Sequence, residues 1–170
     1  MAFDIYNAAD QINHLKTILD DSTLKTSLSI SLTEKDDDGD DLGTPNNDGV
    51  TTQSPFFLMA NYLPQMIINV SNQRAMDQQF KTAEMETDFE LYYAFEFDPH
   101  SQTHTTMAAR LRLICDKLLD YRTAQEPNWY SMSLPTLEIQ NEVNRMFEEN
   151  QIPVAIGRIT FTVYNKGVYR

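Results

Sequence analysis

The sequence predicts an α+β domain: a four-stranded, mainly antiparallel sheet with helices packed on one face, a two-layer sandwich. Two observations carry that expectation. Residues 87–98, TDFELYYAFEFD, put Phe89, Leu91, Tyr93, Phe95 and Phe97 on one side and Asp88, Glu90, Tyr92, Ala94, Glu96 and Asp98 on the other. Successive side chains of a strand point to opposite faces, so this period of two describes a long strand with one packed and one wet face. Beyond Pro99 and a polar linker, Met107, Leu111, Ile114, Cys115, Leu118 and Leu119 recur at helical spacing. A helix therefore returns over the strand's apolar face, and strands with one apolar face each need helices on one side only.

The remaining elements follow in order. Ile5, Ala8, Ile12, Leu15 and Leu19 keep a helical period, with Asp4 placed to cap the first turn. Residues 27–33, SLSISLT, alternate and predict a strand presenting Leu28, Ile30 and Leu32 to the core. Residues 34–53 are acidic and rich in Gly and Asn, with nothing to bury, and read as a long flexible loop. Ser54-Pro55 can open a short helix through Phe56, Leu58 and Met59, an extended loop being the alternative. Leu63-Pro64 leads into a second strand with Met66, Ile68 and Val70, and residues 72–83 read as a polar hairpin connection to the central strand. The helix around Met107 has capping hydroxyls at Thr103, Thr105 and Thr106 and runs to about Arg122. After a loop at 125–134, Pro135 and Thr136 open a third helix with Ile139, Val143, Met146 and Phe147 as its stripe. The last strand, residues 154–165, sets Ala155, Gly157, Ile159, Phe161 and Val163 against Arg158, Thr160, Thr162 and Tyr164. The small pair Ala155 and Gly157 predicts close approach of another element.

Composition bounds the function. At 170 residues the chain suits one domain, 1–170. A formal charge of −12 argues against binding phosphates, because nucleic-acid affinity comes mainly from Lys and Arg displacing counterions. A like-charged wall could still surround DNA without holding it. The beginning of the chain shows neither a secretory signal nor an anchor, and the longest apolar run, 56–60, is far short of a membrane span. The single cysteine, Cys115, lies on an apolar stripe and reads as a small buried hydrophobe.

The candidate chemistry is sparse. The run Asp36, Asp37, Asp38, Gly39, Asp40, Asp41 invites a calcium reading, but an EF-hand needs glycine at loop position six and an acid at twelve, which this spacing does not supply. Glu84, Glu86, Asp88 and Glu90 share one strand face, where charged residues ordinarily meet solvent or a Lys or Arg across the sheet or on another subunit. His100 and His104 lack further zinc ligands nearby. No catalytic residue, metal or cofactor is expected, and the reading is not an enzyme. Arg110, Arg112, Lys117 and Arg122 form a basic patch, and Trp129-Tyr130 is a candidate anchor for a protein partner.

The order of elements resembles the tail terminator, or tail-completion, proteins of long-tailed phages, the family of the lambda minor tail protein U. The likeness rests on the amphipathic first helix and on Leu63-Pro64 leading into Met66-Ile67-Ile68-Asn69-Val70. It continues through the alternating strand Phe89 to Phe97 closed by Asp98-Pro99, the helix around Met107 to Leu119, and the strand at Ile159-Thr160-Phe161-Thr162-Val163-Tyr164. Length and the acidic insertion at 36–49 depart from that pattern. The resemblance implies a virion protein of the tail-neck junction, assembled in the host cytoplasm. Six copies would form a ring on the last ring of tail-tube protein, end polymerisation and present a surface to the head's neck or connector protein, with genome DNA passing through unbound and no membrane involved. Contacts in a cyclic ring are heterologous, so Glu86, Asp88 and Glu90 of one copy could meet Arg110, Arg112, Lys117 or Arg122 of the next. Asp36, Asp37, Asp38, Asp40 and Asp41 would face the lumen or a neighbouring ring. The alternatives are another head-tail connector or adaptor protein, an acidic DNA-mimic inhibitor, and, more distantly, a small-molecule enzyme.

Overall fold

The computed structural model describes residues 3–4, 8–36, 38–47, 49–52, 63–79, 82–96, 103–123, 131–147 and 150–169. In chain order these form β1 (Phe3–Asp4), α1 (Ala8–Leu19), α2 (Ser22–Ser27), β2 (Thr33–Lys35), β3 (Asp41–Pro45), β4 (Val50–Thr51), β5 (Gln65–Gln79), β6 (Thr82–Glu96), α3 (Thr103–Thr123), β7 (Ser131–Met132), β8 (Thr136–Phe147) and β9 (Asn150–Tyr169). The class is α+β, as expected. The sheet is larger than four strands: it runs β4-β5-β6-β9, and the far edge of β9 is shared along its length by β8, β7 and β1, seven strands in all. Every pairing is antiparallel except β4 with β5.

The alternation around residue 89 does what its period requires. Phe89, Leu91, Tyr93 and Phe95 of β6 join Met66 and Ile68 of β5 and Ala155, Ile159, Phe161 and Val163 of β9 in one buried face. The helices cover it with Leu15 and Leu19 from α1, Leu24 from α2, and Met107, Leu111, Ile114, Cys115 and Leu118 from α3. Phe89 stacks on Phe161 with ring centroids 5.4 Å apart. Cys115 is a buried hydrophobe, its thiol pushed up to about 11 by burial, with Asp116 adding to the shift. The layers approach closely at Gly157, where a Cβ would lie 2.6 Å from the Met107 sulfur and 2.7 Å from both Leu111 methyls.

Several expected elements are different. Residues 27–33 are not a strand. Asp21 caps α2 by accepting the Leu24 N–H at 2.8 Å, the Leu28 N–H closes back on the Leu24 carbonyl, and Ser29 at φ 61° ends the helix. Leu28 and Ile30 still reach the core, while Leu32 remains 45% exposed; three alternating apolar residues are too few to distinguish a strand from a helix end and its turn. Residues 34–53 are not a structureless loop, because β2 and β3 pair as a separate two-stranded hairpin. Asp36 Oδ1 accepts the N–H groups of Asp38 at 3.0 Å and Asp40 at 2.8 Å, and Gly39 and Gly43 take φ of 86° and 70°. The acids thus organise a turn by capping backbone donors. Asn46 ties the hairpin down, donating to the Ser31 carbonyl and accepting the Gly49 N–H, while buried Lys25 donates to its carbonyl at 3.0 Å and forms an ion pair with Asp20.

Asp4, expected to cap the first helix, lies in β1 opposite Val168. Residues 72–83 are mostly strand, since β5 continues to Gln79 and pairs with β6 almost to its start, with bulges between Val70 and Asn72 and between Ala75 and Asp77. The largest departure is 136–147: the expected third helix is strand β8, which pairs with β9 from Thr136 opposite Thr160 to Phe147 opposite Asn150. Spacings of four and three are ambiguous over so short a window, and the open edge of β9 supplies backbone partners that a helix there would leave unmet. The sheet face away from the helices is not uniformly wet either: Ile67, Ala94, Val154 and Ile156 form a second buried cluster there. The possible helix at 54–59 lies outside the described residues.

Candidate functional site

The outward face of β6 carries the acidic row, and register decides what meets it. Arg74 of β5 lies opposite Glu86, Thr162 of β9 opposite Asp88, and Glu90 sits between Asn69 and Thr160. Arg74 donates to both oxygens of Glu86, at 2.6 and 3.1 Å, and more distantly to Asp88 at 3.4 Å. Asp88 also accepts the Thr162 hydroxyl at 2.8 Å. Glu90 accepts from Arg158 and from the Tyr92 hydroxyl at 2.8 Å, and Arg158 reaches on to Glu138 of β8 at 3.2 Å. Two arginines thus lace four strands together through a charged ladder.

The electrostatics follow from these partners. Burial works to raise the Glu90 carboxyl, but the Tyr92 hydroxyl, Arg158 and Asn69 outweigh it and hold it below the usual carboxylate range. Glu86 holds Arg74, and Glu90 holds Arg158, above the ordinary guanidinium value. Glu90, held ionised in this way, is a poor general acid at neutral pH, where catalysis wants a group poised to exchange its proton. Beside the ladder, Asp88, Glu90, Ser71, Ser133, Thr136, Thr160 and Thr162 line an open recess of about 280 Å³. Among the described residues no group of three or more His, Cys, Asp or Glu is placed to hold a metal ion.

The basic candidates lie on the helix layer. Arg110 donates to the Tyr93 hydroxyl at 2.8 Å and to Ser29 at 3.1 Å, and its guanidinium stands 4.7 Å from the Phe95 ring centroid. Tyr93 in turn donates to the Leu28 carbonyl at 2.6 Å, and burial pushes its own pKa up to about 12 against the pull of Arg110. Lys117 bridges to Asp21 at 3.1 Å, and the Asp21 carboxyl is lowered first by the Leu24 N–H and then by Lys117. Arg112 is 81% exposed, with Asp116 4.0 Å away. Within one chain, then, Glu86, Asp88 and Glu90 are brought to Arg74 and Arg158, not to Arg110, Arg112 or Lys117. Arg74 and Glu138 were missed because each sat in a segment read as something other than strand; the signal for Arg158 was its outward parity in the last strand.

Asp38, Asp40 and Asp41 are exposed on the β2–β3 hairpin together with Asp36. The Asp41 carboxyl is lowered by the Gly43 N–H ahead of Thr33. Asp37, Trp129, Tyr130 and His100 lie outside the described residues, as do the side chains of Arg122 and His104. No helix among the described residues is long and apolar enough to cross a membrane.

The sheet also ends in open strands. Among the described residues β8 pairs only with β9, and β5 pairs beyond β6 only with β4, at Met66 and Ile67. Comparison with models of known protein families and with curated proteins finds no match to this chain.

Proposed function

We propose that this chain is a structural virion protein that caps a phage tail tube as a ring of six copies, ends tube polymerisation and forms the joint to the head's neck. The observation that carries this reading is that, among the described residues, β8 pairs only with β9 and β5 beyond β6 only with β4, edges able to pair with a further chain. The tail-terminator resemblance of the sequence supports it, and so does a net charge of −12, which lets DNA pass a surrounding wall without sticking. Glu86, Asp88 and Glu90 are ion-paired in place with Arg74 and Arg158. That speaks against a DNA mimic, which would present its carboxylates unpaired to a basic partner. The same open-edged subunit would serve a connector ring, which differs in the ring it touches.

Electron microscopy of particles made with this gene disabled tests the proposal. Filled heads beside unattached tails of abnormal length are expected. Attached tails of normal length would remove the terminator reading.

A further inference from the structure

We infer that the β2–β3 hairpin is an arm that seats on the next copy, against Leu137 and Ile139 of β8 and Arg112 of α3. The inference names the contact for the ring reading above and rests on it. The hairpin is set apart from the main sheet. It is fastened at its base, where the Asn46 N–H donates to the Leu32 carbonyl and the Asn46 side chain donates to the Ser31 carbonyl and accepts the Gly49 N–H. Beyond that base every residue of β3 is exposed, and Leu32 and Leu42 are 45 and 54% exposed. A two-stranded hairpin is marginal in water by itself, and one that also leaves two leucines wet gains by seating them on an apolar surface.

Such a surface lies at the other end of the same cross-strand row. Val50 of β4 pairs with Met66 of β5, Met66 with Tyr93 of β6, Tyr93 with Gly157 of β9, and Gly157 with Ile139 of β8. The hairpin base, next to Val50, is therefore level with Ile139. At about 4.8 Å per strand the two ends of the row stand about 19 Å apart, and the helices cover the face between them. The arm thus meets the β8 of a neighbour and not its own. A rotation about an axis along the strands keeps the level and brings the hairpin end of one copy to the β8 end of the next, a heterologous contact of the kind a ring repeats. Both ends lie on the helix side of the sheet. Leu137 and Ile139, 46 and 39% exposed, stand opposite Ile159 and Gly157, which the helices cover. At the hairpin base Lys25 of α2 donates to the Asn46 carbonyl, and a Cβ at Gly49 would meet the core residue Ile30. Charge agrees with shape. Arg110 and Lys117 turn to Ser29 and Asp21, beyond the two ends of α2. Arg112 comes about 200° further round α3 than Arg110. It stands on the flank away from α2, toward β8, and is 81% exposed. The hairpin brings the exposed acids Asp38, Asp40 and Asp41 to it. A second copy supplies both halves of the contact.

Cross-linking tests it on the full chain. In a Cys115→Ala background, Leu42→Cys on the hairpin is mixed with Leu137→Cys or Ile139→Cys on β8, each variant first checked for wild-type far-UV circular dichroism and melting. Each chain then carries one thiol, so any link joins two copies. After mild oxidation, at least one mixture should give about tenfold more linked pair than either variant alone, because seating holds the two thiols at high effective concentration. Adding Arg112→Glu to the β8 variant should cut that yield several-fold, and adding Asp38→Lys with Asp40→Lys to the hairpin variant should restore it. No link in either mixture, or links as abundant within a single variant, would overturn the seat; a yield indifferent to the charge changes would remove Arg112 from it. Mass photometry of the same samples separates the two claims. Closed six-copy rings without the link overturn the seat alone, and links that build open-ended chains uphold the seat while overturning the closed ring. Single, unlinked copies overturn the seat and leave the ring to the microscopy above.

Discussion

Replacing Gly157 by Ala tests how tightly α3 is seated on the sheet. The added Cβ would stand 2.6 Å from the Met107 sulfur and 2.7 Å from both Leu111 methyls. Carbon contacts settle at about 3.5–4.0 Å, so the neighbours must give by about 1 Å. Met107 and Leu111 are 1 and 0% exposed and have no solvent to turn into. Overpacking of this kind costs about 1–3 kcal/mol, and removing glycine from a strand interior returns about 0.5–1 kcal/mol, leaving a net loss of about 1–2 kcal/mol. Leu111→Ala alone should cost about 2–5 kcal/mol through the cavity it opens. In that background two of the three clashing atoms are gone, so Gly157→Ala should become neutral or stabilising. Urea denaturation of the wild type, both single variants and the double variant, followed by far-UV circular dichroism, gives the coupling directly; about 1–2 kcal/mol of mutual relief is expected. Additivity within about 0.5 kcal/mol, or a single Gly157→Ala variant more stable than wild type, would refute the packing argument.

Other perturbations have equally direct readouts. Tyr93→Phe removes the donor to the Leu28 carbonyl and the acceptor for Arg110, and a loss of about 1–2 kcal/mol in urea midpoint stability is expected; an unchanged midpoint would mean that water replaces both bonds. Glu90 and Asp21 have folded pKa values below the ordinary 4.5 and 3.8. Their contribution is therefore present above those values and is lost as pH falls through the folded ones. The melting temperature should drop on acidification below about pH 4.5, less steeply in Glu90→Gln, and equal slopes would sink the assignment. Asp38→Asn with Asp40→Asn should leave stability within about 0.5 kcal/mol, whereas Asp36→Ala should raise amide exchange in β2 and β3 by freeing two backbone donors. Protection that stays the same in both variants would show that Asp36 does not organise the hairpin.

Patterns long enough to be unambiguous were legible in the chain itself. The strict alternation over 87–96, the helical stripe from Met107 to Leu119, the parity of 154–164 and the small residue at Gly157 each foretold a face that the structure buries, because side-chain direction in a strand or helix is a local property of the backbone. Shorter patterns misled. Leu28 and Ile30 are buried from a helix end, and Ile139 and Val143 belong to a strand, because a few apolar positions satisfy both periods and the tie is broken by distant backbone groups.

The candidate site divides the same way. That Glu86, Asp88 and Glu90 share one outward face is written in their spacing. That Arg74 and Arg158 pair with them depends on the register of β5 and β9 against β6, which joins residues far apart in sequence. That β8, among the described residues, pairs only with β9 emerges only once the sheet order is known. By itself the sequence determined which residues are buried and which are charged and outward along its longest elements; only tertiary structure decided which charges pair and which strands are left without a neighbour, since hydrogen-bond partners in a sheet are chosen between segments and not within them.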